Sequence, residues 1–592
     1  MNILREQSVV KTNNKFSKLP LGSVTARGWL KDQLLRNKDG MGGHLDELEP
    51  DGYLGSFAPD NDRTVDYNPW SASWCYRALL SFYEATERQD VLDTVHRACL
   101  WFCENWKDHK TDYAGPYIIE PMIVTYAYTG DERLVKFSND WLEWLENNSK
   151  WQNKISQYLS DSLPYSSMHA VAYGEEAKHP ALVYCATGEE RLLRASVKAL
   201  EKALQNIVQL TGGPSSCGEQ LSPKGGINET EYCNFATYNT SYSWMALITG
   251  ESRWGDEIER CIFNGAQGAR KKDERAIAYF TSPNQLYANR HSSVYGAQTE
   301  YGVYAPCFSV ACCPTQSVRI IPEFIRGMGL TDENRDLYLL CYGPAEVKAP
   351  KLDFTMDTLY PFRDTITLTI TRSENAVLNL RIPAWCKTPE VTVNGKNVNL
   401  IYDGNGYARI DAILATKDVV VLHFPMEVTL TKVDDSASGS KFPICIERGP
   451  LVYALPIPTI WTEYPGNPVT PLPEGWCWYE ASPNPDDPLF QELFIAKDTL
   501  PKFRVIDETL TPDQIRVVEH KLSGYVWENP PITLEVPLYL SKENRMFISP
   551  RLNEPWKYLL EVEGEAKMCT LIPHGCTNLR ITYLPRAATQ EI

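Results

Sequence analysis

The chain repeats one kind of corner. Apolar helical stretches end in Tyr83-Glu84-Ala85-Thr86, in Tyr126-Ala127-Tyr128-Thr129-Gly130, in Tyr184-Cys185-Ala186-Thr187-Gly188 and in Met245-Ala246-Leu247-Ile248-Thr249-Gly250. The second and third corners run on into Asp131-Glu132-Arg133-Leu134 and Glu189-Glu190-Arg191-Leu192. Glycine just past a helix end adopts the left-handed conformation that closes it, and acids in the next first turn meet the positive end of that helix dipole. The Thr-to-Thr intervals of 43, 58 and 62 residues each hold a helix pair with its loops. Repeated helix pairs either stack as an open solenoid or close into a ring. Irregular intervals and long loops rich in Gly, Pro and Asn favour the ring, an α/α barrel whose loops crowd one mouth and build a site there.

Beyond about residue 335 the periodicity changes from helical to alternating. Thr365-Ile366-Thr367-Leu368-Thr369-Ile370 and Val419-Val420-Val421-Leu422-His423-Phe424 are β-branched runs, Val391-Thr392-Val393-Asn394-Gly395 runs into a hairpin turn, and Arg448-Gly449-Pro450-Leu451-Val452-Tyr453 enters another strand. Pro456 to Pro488 reads as a long surface connection. The expected architecture is a multidomain α + β protein, with a helical barrel over 1–335, a β-sandwich over 336–435 and a C-terminal β-rich domain over 436–592.

At 592 residues the chain needs several domains. A net charge of −17 argues against nucleic acid and anionic membranes as partners. No run reaches the roughly 18 apolar residues of a spanning helix, and Met1 to Pro20 lacks the apolar core of a secretory signal. The 16 cysteines follow no disulfide-scaffold spacing, and Cys99, Cys103 and Cys185 fall in apolar patterns as small buried hydrophobes. A reducing, cytoplasmic setting is the simpler expectation. A homo-oligomer stays open.

Two spots carry potential chemistry, Glu231-Tyr232-Cys233 and Cys312-Cys313-Pro314, each at an apparent helix start. Vicinal cysteines pair with each other only through a distorted backbone, so the choice is between two buried small residues and a metal site. Three thiolates and one carboxylate suit a tetrahedral Zn²⁺. Four anionic ligands around a divalent cation leave a formal charge of −2, which makes a thiolate electron-rich enough to act as nucleophile as well as ligand. A third spot is Glu219, in the Gly-flanked loop Thr211-Gly212-Gly213-Pro214-Ser215-Ser216-Cys217-Gly218-Glu219, where a carboxyl group can protonate a leaving oxygen and later deprotonate water.

These residues resemble glycoside hydrolase family 127, the β-L-arabinofuranosidases. The resemblance rests on Thr211-Gly212-Gly213 with Gly218-Glu219, on Glu231-x-Cys233 and on Ala311-Cys312-Cys313-Pro314, with His169-Ala170-Val171 ahead of Tyr184 and Ile119-Glu120 ahead of Tyr126. It continues through Leu380-Arg381-Ile382-Pro383-Ala384-Trp385, Val393-Asn394-Gly395, Phe424-Pro425-Met426 and Arg448-Gly449-Pro450, and spans Asp66 to about Ala454. It implies an (α/α)₆ barrel followed by β-sandwich domains. It also implies zinc held by Glu231, Cys233, Cys312 and Cys313, with Cys312 the nucleophile and Glu219 the acid/base. The activity implied is that of a retaining exo-glycosidase acting on an oligosaccharide or glycoside and releasing a terminal β-L-arabinofuranose or similar pentose.

The chain departs from that pattern near the sugar. Where the family has a Gly-His-Leu-Ile-Glu-like run, this chain has Pro116-Tyr117-Ile118-Ile119-Glu120, so Tyr117 replaces a substrate-binding His; the stretch after His169 carries Glu175, Glu176 and Lys178. His169, Tyr117 and Glu175 are the expected sugar contacts. Two other readings compete. One is a zinc-independent inverting hydrolase that pairs Asp66 or Glu175 with Glu219. The other is a non-catalytic carbohydrate-binding protein whose zinc only holds the loops.

Overall fold

The computed structural model describes residues 12–39, 69–106, 110–113, 115–151, 153–163, 168–290, 292, 299–306, 308, 312–434, 442–463, 491–495, 504–542 and 559–587. Asp66, one carboxylate of the inverting alternative, Ala311, and most of the Pro456–Pro488 connection lie outside them. The helical part runs α1 (Gly28–Asp39), α2 (Pro69–Thr86), α3 (Gln89–Asn105), α4 (Ile119–Thr129), α5 (Glu132–Asn148), α6 (Ile155–Leu159), α7 (Ala170–Glu176), α8 (His179–Thr187), α9 (Glu190–Asn206), α10 (Tyr232–Thr249), α11 (Arg253–Arg260) and α12 (Cys312–Gly327).

The repeated corners are built alike, and from local chemistry. Gly130, Gly188 and Gly250 sit at φ of 71°, 75° and 75°, closing α4, α8 and α10. The threonine before each turns its hydroxyl back onto the preceding helical turn: Thr129 donates to the Thr125 carbonyl at 2.8 Å, Thr187 to Val183 at 3.1 Å and Thr249 to Met245 at 2.8 Å. The same hydroxyl then accepts the backbone N–H two residues on, from Asp131, Glu189 and Glu251. One side chain thus ends one helix and aims the next.

The helices alternate between two environments, as an (α/α)₆ barrel requires. The inner α4, α8 and α10 are buried almost all round. The outer α9 buries the stripe Leu192, Ala195, Ser196, Ala199, Leu200 and Ala203 and exposes charge on its other face.

The barrel interior is ionic. Arg77 of α2 reaches Glu120 of α4 at 3.0 Å and Glu175 of α7 at 2.5 Å, and Lys178 Nζ reaches the same two carboxylates at 3.2 and 2.5 Å. On the far side, Arg319 of α12 bonds the Thr240 hydroxyl of α10 at 2.8 Å and its own helix neighbour Glu323 at 2.5 Å. The indole of Trp74 joins the two groups, with the Arg77 guanidinium 4.6 Å and the Arg319 guanidinium 4.9 Å from its centroid. Buried charges persist only when paired, and these pairings tie α2, α4, α7, α10 and α12 to one axis.

Two antiparallel-rich sheets follow the barrel. The first, in spatial order, is Ser17–Lys18, Gly329–Thr331, Leu337–Leu339, Leu378–Arg381, Tyr407–Ile410 and Leu400–Tyr402. The second is Lys396–Asn397, Glu390–Val393, Val419–His423, Thr365–Ser373, Leu352–Thr358, Ala345–Lys348 and Val24–Ala26. The partition at residue 335 therefore needs amending at the other end of the chain, because Ser17–Lys18 and Val24–Ala26 each complete a sheet of the sandwich. A third sheet, from Val428–Lys432 onward, leads through Leu451–Pro456 and Arg580–Ile581 to Asn284–Gln285, a strand that leaves the barrel.

Barrel and sandwich are joined by a buried arginine. Arg381, fully buried, contacts Asp256 at 2.5 Å and Glu259 at 2.5 Å, both on α11. The Tyr360 hydroxyl and the Tyr342 N–H also donate to Glu259. Removing the guanidinium strands a fully buried carboxylate, so Arg381→Met is expected to lower stability by about 3–5 kcal/mol. A fall in the urea midpoint at unchanged slope is the measurement that checks it.

Candidate active site

Two helix N-termini meet at one mouth of the barrel. Cys233 is the second residue of α10, and Cys312 and Cys313 are the first two of α12. Unpaired backbone N–H groups and the dipole at such ends favour thiolates. Cys233 Sγ lies 3.3 Å from Cys313 Sγ, and Cys312 Sγ lies 3.9 Å from Cys313 Sγ. Glu231 Oε1 stands 3.8 Å from Cys312 Sγ and 3.5 Å from Cys313 Sγ. Glu231 reaches the cluster as the N-cap of α10, its backbone N–H held by the Ser216 hydroxyl at 2.9 Å.

These distances test the fit of a metal. A tetrahedral ion bonded to sulfur at about 2.3 Å and oxygen at about 2.0 Å has S···S edges of about 3.8 Å and S···O edges of about 3.5 Å. The observed separations of 3.3 to 3.9 Å bracket those edges. Glu231 Oε2, buried, has no hydrogen-bond partner among the described residues. Donor type, spacing and the orphaned oxygen all fit Zn²⁺.

Burial and mutual contact leave the protons of the cluster unevenly held. Burial pushes the Cys233 and Cys313 thiols up, and burial together with the charges of Cys312 and Glu219 pushes the Glu231 carboxyl up. Cys312 is held well below the usual thiol range, chiefly by its hydrogen-bonding contacts with Cys233 and Cys313. Four acids this close cannot all ionise unaided.

Glu219 stands beside the cluster on a strained turn. It follows Gly218, at φ 59°, and itself adopts φ 64°. A non-glycine residue in the left-handed region is a cost that surrounding structure must hold in place. Ser216 does much of that holding: its carbonyl accepts the Glu219 N–H at 2.9 Å, while its hydroxyl oxygen accepts the Glu231 backbone N–H and the Asn234 amide N–H. One serine therefore ties the Glu219 loop to the thiol cluster.

Both oxygens of Glu219 accept a hydrogen bond. The Tyr279 hydroxyl donates to Oε1 at 2.6 Å and lies 3.5 Å from Cys312 Sγ, spanning the carboxylate and the thiol. His169 faces Oε2 at 3.3 Å through Nε2. Because His169 Nδ1 accepts the Val171 N–H at 3.2 Å as the N-cap of α7, the neutral ring carries its proton on Nε2 and donates to Glu219.

Glu219, Glu231, Cys233, Cys312 and Cys313 therefore come together, with His169 at their edge. Tyr117 and Glu175 do not join them. Tyr117 is buried with its ring 6.3 Å from that of His179, and its carbonyl accepts from Ser73. Glu175 is 0% exposed, its Oε1 engaged by Arg77 and Lys178 in the ionic interior. Tyr279 was not legible from its surroundings. The apolar run Ile277-Ala278-Tyr279-Phe280 reads as core, and the pairing of Thr230–Glu231 with Phe280–Thr281 helps bring the Tyr279 hydroxyl to the site.

A family model described as "Beta-L-arabinofuranosidase, GH127 catalytic domain" matches residues 44–326, and its companion "GH127 middle domain" matches residues 336–426. The chain belongs to glycoside hydrolase family 127. It is a glycoside hydrolase. Among solved structures it is similar over 97% of its length, at 16% identity and a TM-score of 0.73, to a protein titled "Glycoside hydrolase", of which 98% is covered. A GH127 β-L-arabinofuranosidase from Geobacillus stearothermophilus T6 aligns over 91% of this chain and 84% of its own, at 18% identity and a TM-score of 0.62. A second GH127 β-arabinofuranosidase aligns over 90% and 79%, at 18% identity and a TM-score of 0.64. No curated protein matches the chain in sequence.

Within this GH127 fold the Tyr279 hydroxyl contacts both Glu219 Oε1 and Cys312 Sγ. Tyr279→Phe is expected to lower kcat by about 10- to 100-fold while bound zinc stays at the wild-type level. Steady-state kinetics paired with metal analysis decide it, since loss of zinc in the variant would mean a structural role only.

Proposed function

We propose that the chain is a retaining exo-glycosidase that releases a terminal β-L-arabinofuranose or similar pentose, with Cys312 as nucleophile and Glu219 as acid/base. The observation that carries the reading is the Tyr279 hydroxyl lying between Glu219 Oε1 and Cys312 Sγ. That contact supports the reading in which a proton-transfer group and a nucleophile serve one reacting centre.

In the first displacement the Cys312 sulfur attacks the anomeric carbon, and the C–S bond forms as the bond to the leaving oxygen breaks. Glu219 gives its proton to that oxygen. In the second, Glu219 takes a proton from water, whose oxygen attacks the same carbon and releases the sulfur. Two inversions restore the starting configuration. Tyr279 and His169 hold the two oxygens of Glu219 in place through both transfers.

Glu231, Cys233, Cys312 and Cys313 are the residues that would hold zinc. Bound there, it would keep the thiols ionised and stabilise the departing thiolate, which is otherwise a sluggish leaving group.

The sugar assignment rests on the family, and the replacement of a family His by buried Tyr117 is where this chain's preference would diverge from it. The inverting alternative draws no support from Glu175, whose carboxylate is already bound to Arg77 and Lys178.

Metal analysis without added zinc is expected to find about one zinc per chain in wild type and less in Cys233→Ala. Cys312→Ser is expected to lose turnover by more than about a thousandfold. Proton NMR of the first-formed product on wild type is expected to show the substrate's own anomeric configuration. A metal-free, fully active enzyme, or an inverted product, sinks the mechanism.

A further inference from the structure

The two halves of the thiol cluster stand on different helices, so their separation depends on whatever grips both. Cys233 follows Tyr232 on α10, and Cys313 stands about one helical turn before Ser317 on α12. Tyr232 and Ser317 meet at a single side chain. The Arg270 guanidinium, 2% exposed, donates through Nε to the Tyr232 hydroxyl at 2.7 Å and through Nη2 to the Ser317 carbonyl. Its Nη1 pairs with Glu274. All three nitrogens are committed, two of them to the helices that carry the candidate ligands. A rigid planar fork can hold several acceptors at fixed directions at once, which a flexible ammonium cannot.

Arg270 is itself anchored from behind. Glu274, also buried, holds Arg270 through Oε2 and accepts the Tyr525 hydroxyl through Oε1 at 3.1 Å. The Tyr525 ring lies beneath the Arg36 guanidinium of α1, which is 4.3 Å from its centroid. Glu274 adopts φ 63°. A non-glycine residue keeps that left-handed conformation only where its surroundings over-determine it, and such residues gather at functional sites. Asn578 Nδ2 donates to the Arg270 carbonyl at 2.9 Å. The backbone here closes a hairpin, in which the Ala278 N–H donates to the Ala269 carbonyl and the Lys271 N–H to the Ala276 carbonyl, both at 2.9 Å. Its outgoing arm runs straight into Tyr279.

We propose that Arg270 is a positioning residue for the zinc site. Backed by Glu274 and Tyr525, it fixes the distance between the Glu231–Cys233 half and the Cys312–Cys313 half, and so sets how tightly the cluster holds the metal. This rests on the reading of that cluster as a zinc site. Groups behind the ligands tune affinity, and their removal typically weakens metal binding by about 10- to 100-fold. Ligands already held at their final separation leave less to be ordered on binding. Tyr525, far along the chain from every ligand, thereby takes part in retaining the metal.

The test measures the zinc Kd of the full chain by competition with a chromophoric zinc chelator under reducing conditions, beside the urea midpoint of the same samples. Arg270→Lys and Tyr232→Phe are each expected to raise Kd by about tenfold or more. The double variant is expected to bind within about twofold of Arg270→Lys alone, because the hydroxyl acts through the guanidinium. Arg381→Met, which removes a buried arginine that joins α11 to the sandwich, is expected to lower the urea midpoint and leave zinc Kd within about twofold of wild type. A zinc-binding wild type with both single variants unchanged overturns the inference. So do single effects that multiply in the double variant, or an Arg381→Met protein that loses zinc affinity as much as Arg270→Lys. Should Arg270→Lys fail to fold, Tyr232→Phe, which deletes one oxygen, decides the matter by its own Kd. A wild type that binds no zinc overturns instead the metal-site reading on which the inference depends.

Discussion

The barrel is organised around charges that have been taken out of water. Arg77, Lys178, Glu120 and Glu175 cancel one another inside the helical ring, and Trp74 carries the Arg77 group across to Arg319, Glu323 and Thr240. Apolar packing tolerates sliding of one helix past another, whereas a buried ion pair loses its partner on any slip and leaves an uncompensated charge. The helices that meet in this network include α10 and α12, whose N-termini bring the three thiols together. The convergence of those thiols, with Cys313 Sγ 3.3 Å from Cys233 Sγ and 3.9 Å from Cys312 Sγ, is therefore inherited from a charge arrangement deeper in the ring.

What the sequence made legible was what is decided locally. The Thr-Gly corners were readable because a left-handed glycine and a back-bonding threonine are properties of a few neighbouring residues. The cluster was readable because Glu231 with Cys233, and Cys312 with Cys313, are each compact in sequence even though the two halves lie far apart. Tyr279 was hidden because its role depends on one short strand pairing. Glu175 was misleading for a related reason. A carboxylate in a charge-rich stretch after His169 looks available until the fold supplies two cations to it.

The β-rich parts act on the site at a distance. Arg580 reaches the Gly268 carbonyl, the Ser282 carbonyl and Gln285, and Asn578 bonds the Arg270 carbonyl at 2.9 Å. Arg270 in turn bonds the Tyr232 hydroxyl at 2.7 Å, beside the cluster. These bonds enclose the segment that carries Tyr279. The C-terminal sheet thus serves as a brace for a tyrosine that must hold its position between a carboxylate and a sulfur.

The two short strands near the start of the chain have a consequence for synthesis. Ser17 pairs with Thr331 and Val24 with Val347, so the first of these ladders joins positions 314 residues apart. At about 5–20 residues per second, roughly 15 to 60 seconds pass on the ribosome between the two sides of that ladder. Throughout that interval the early strands present unpaired backbone to whatever is nearby, while the helical ring is made behind them. Chain elongation, rather than any contact within the ring, sets when the sandwich can close and clasp both ends of the barrel.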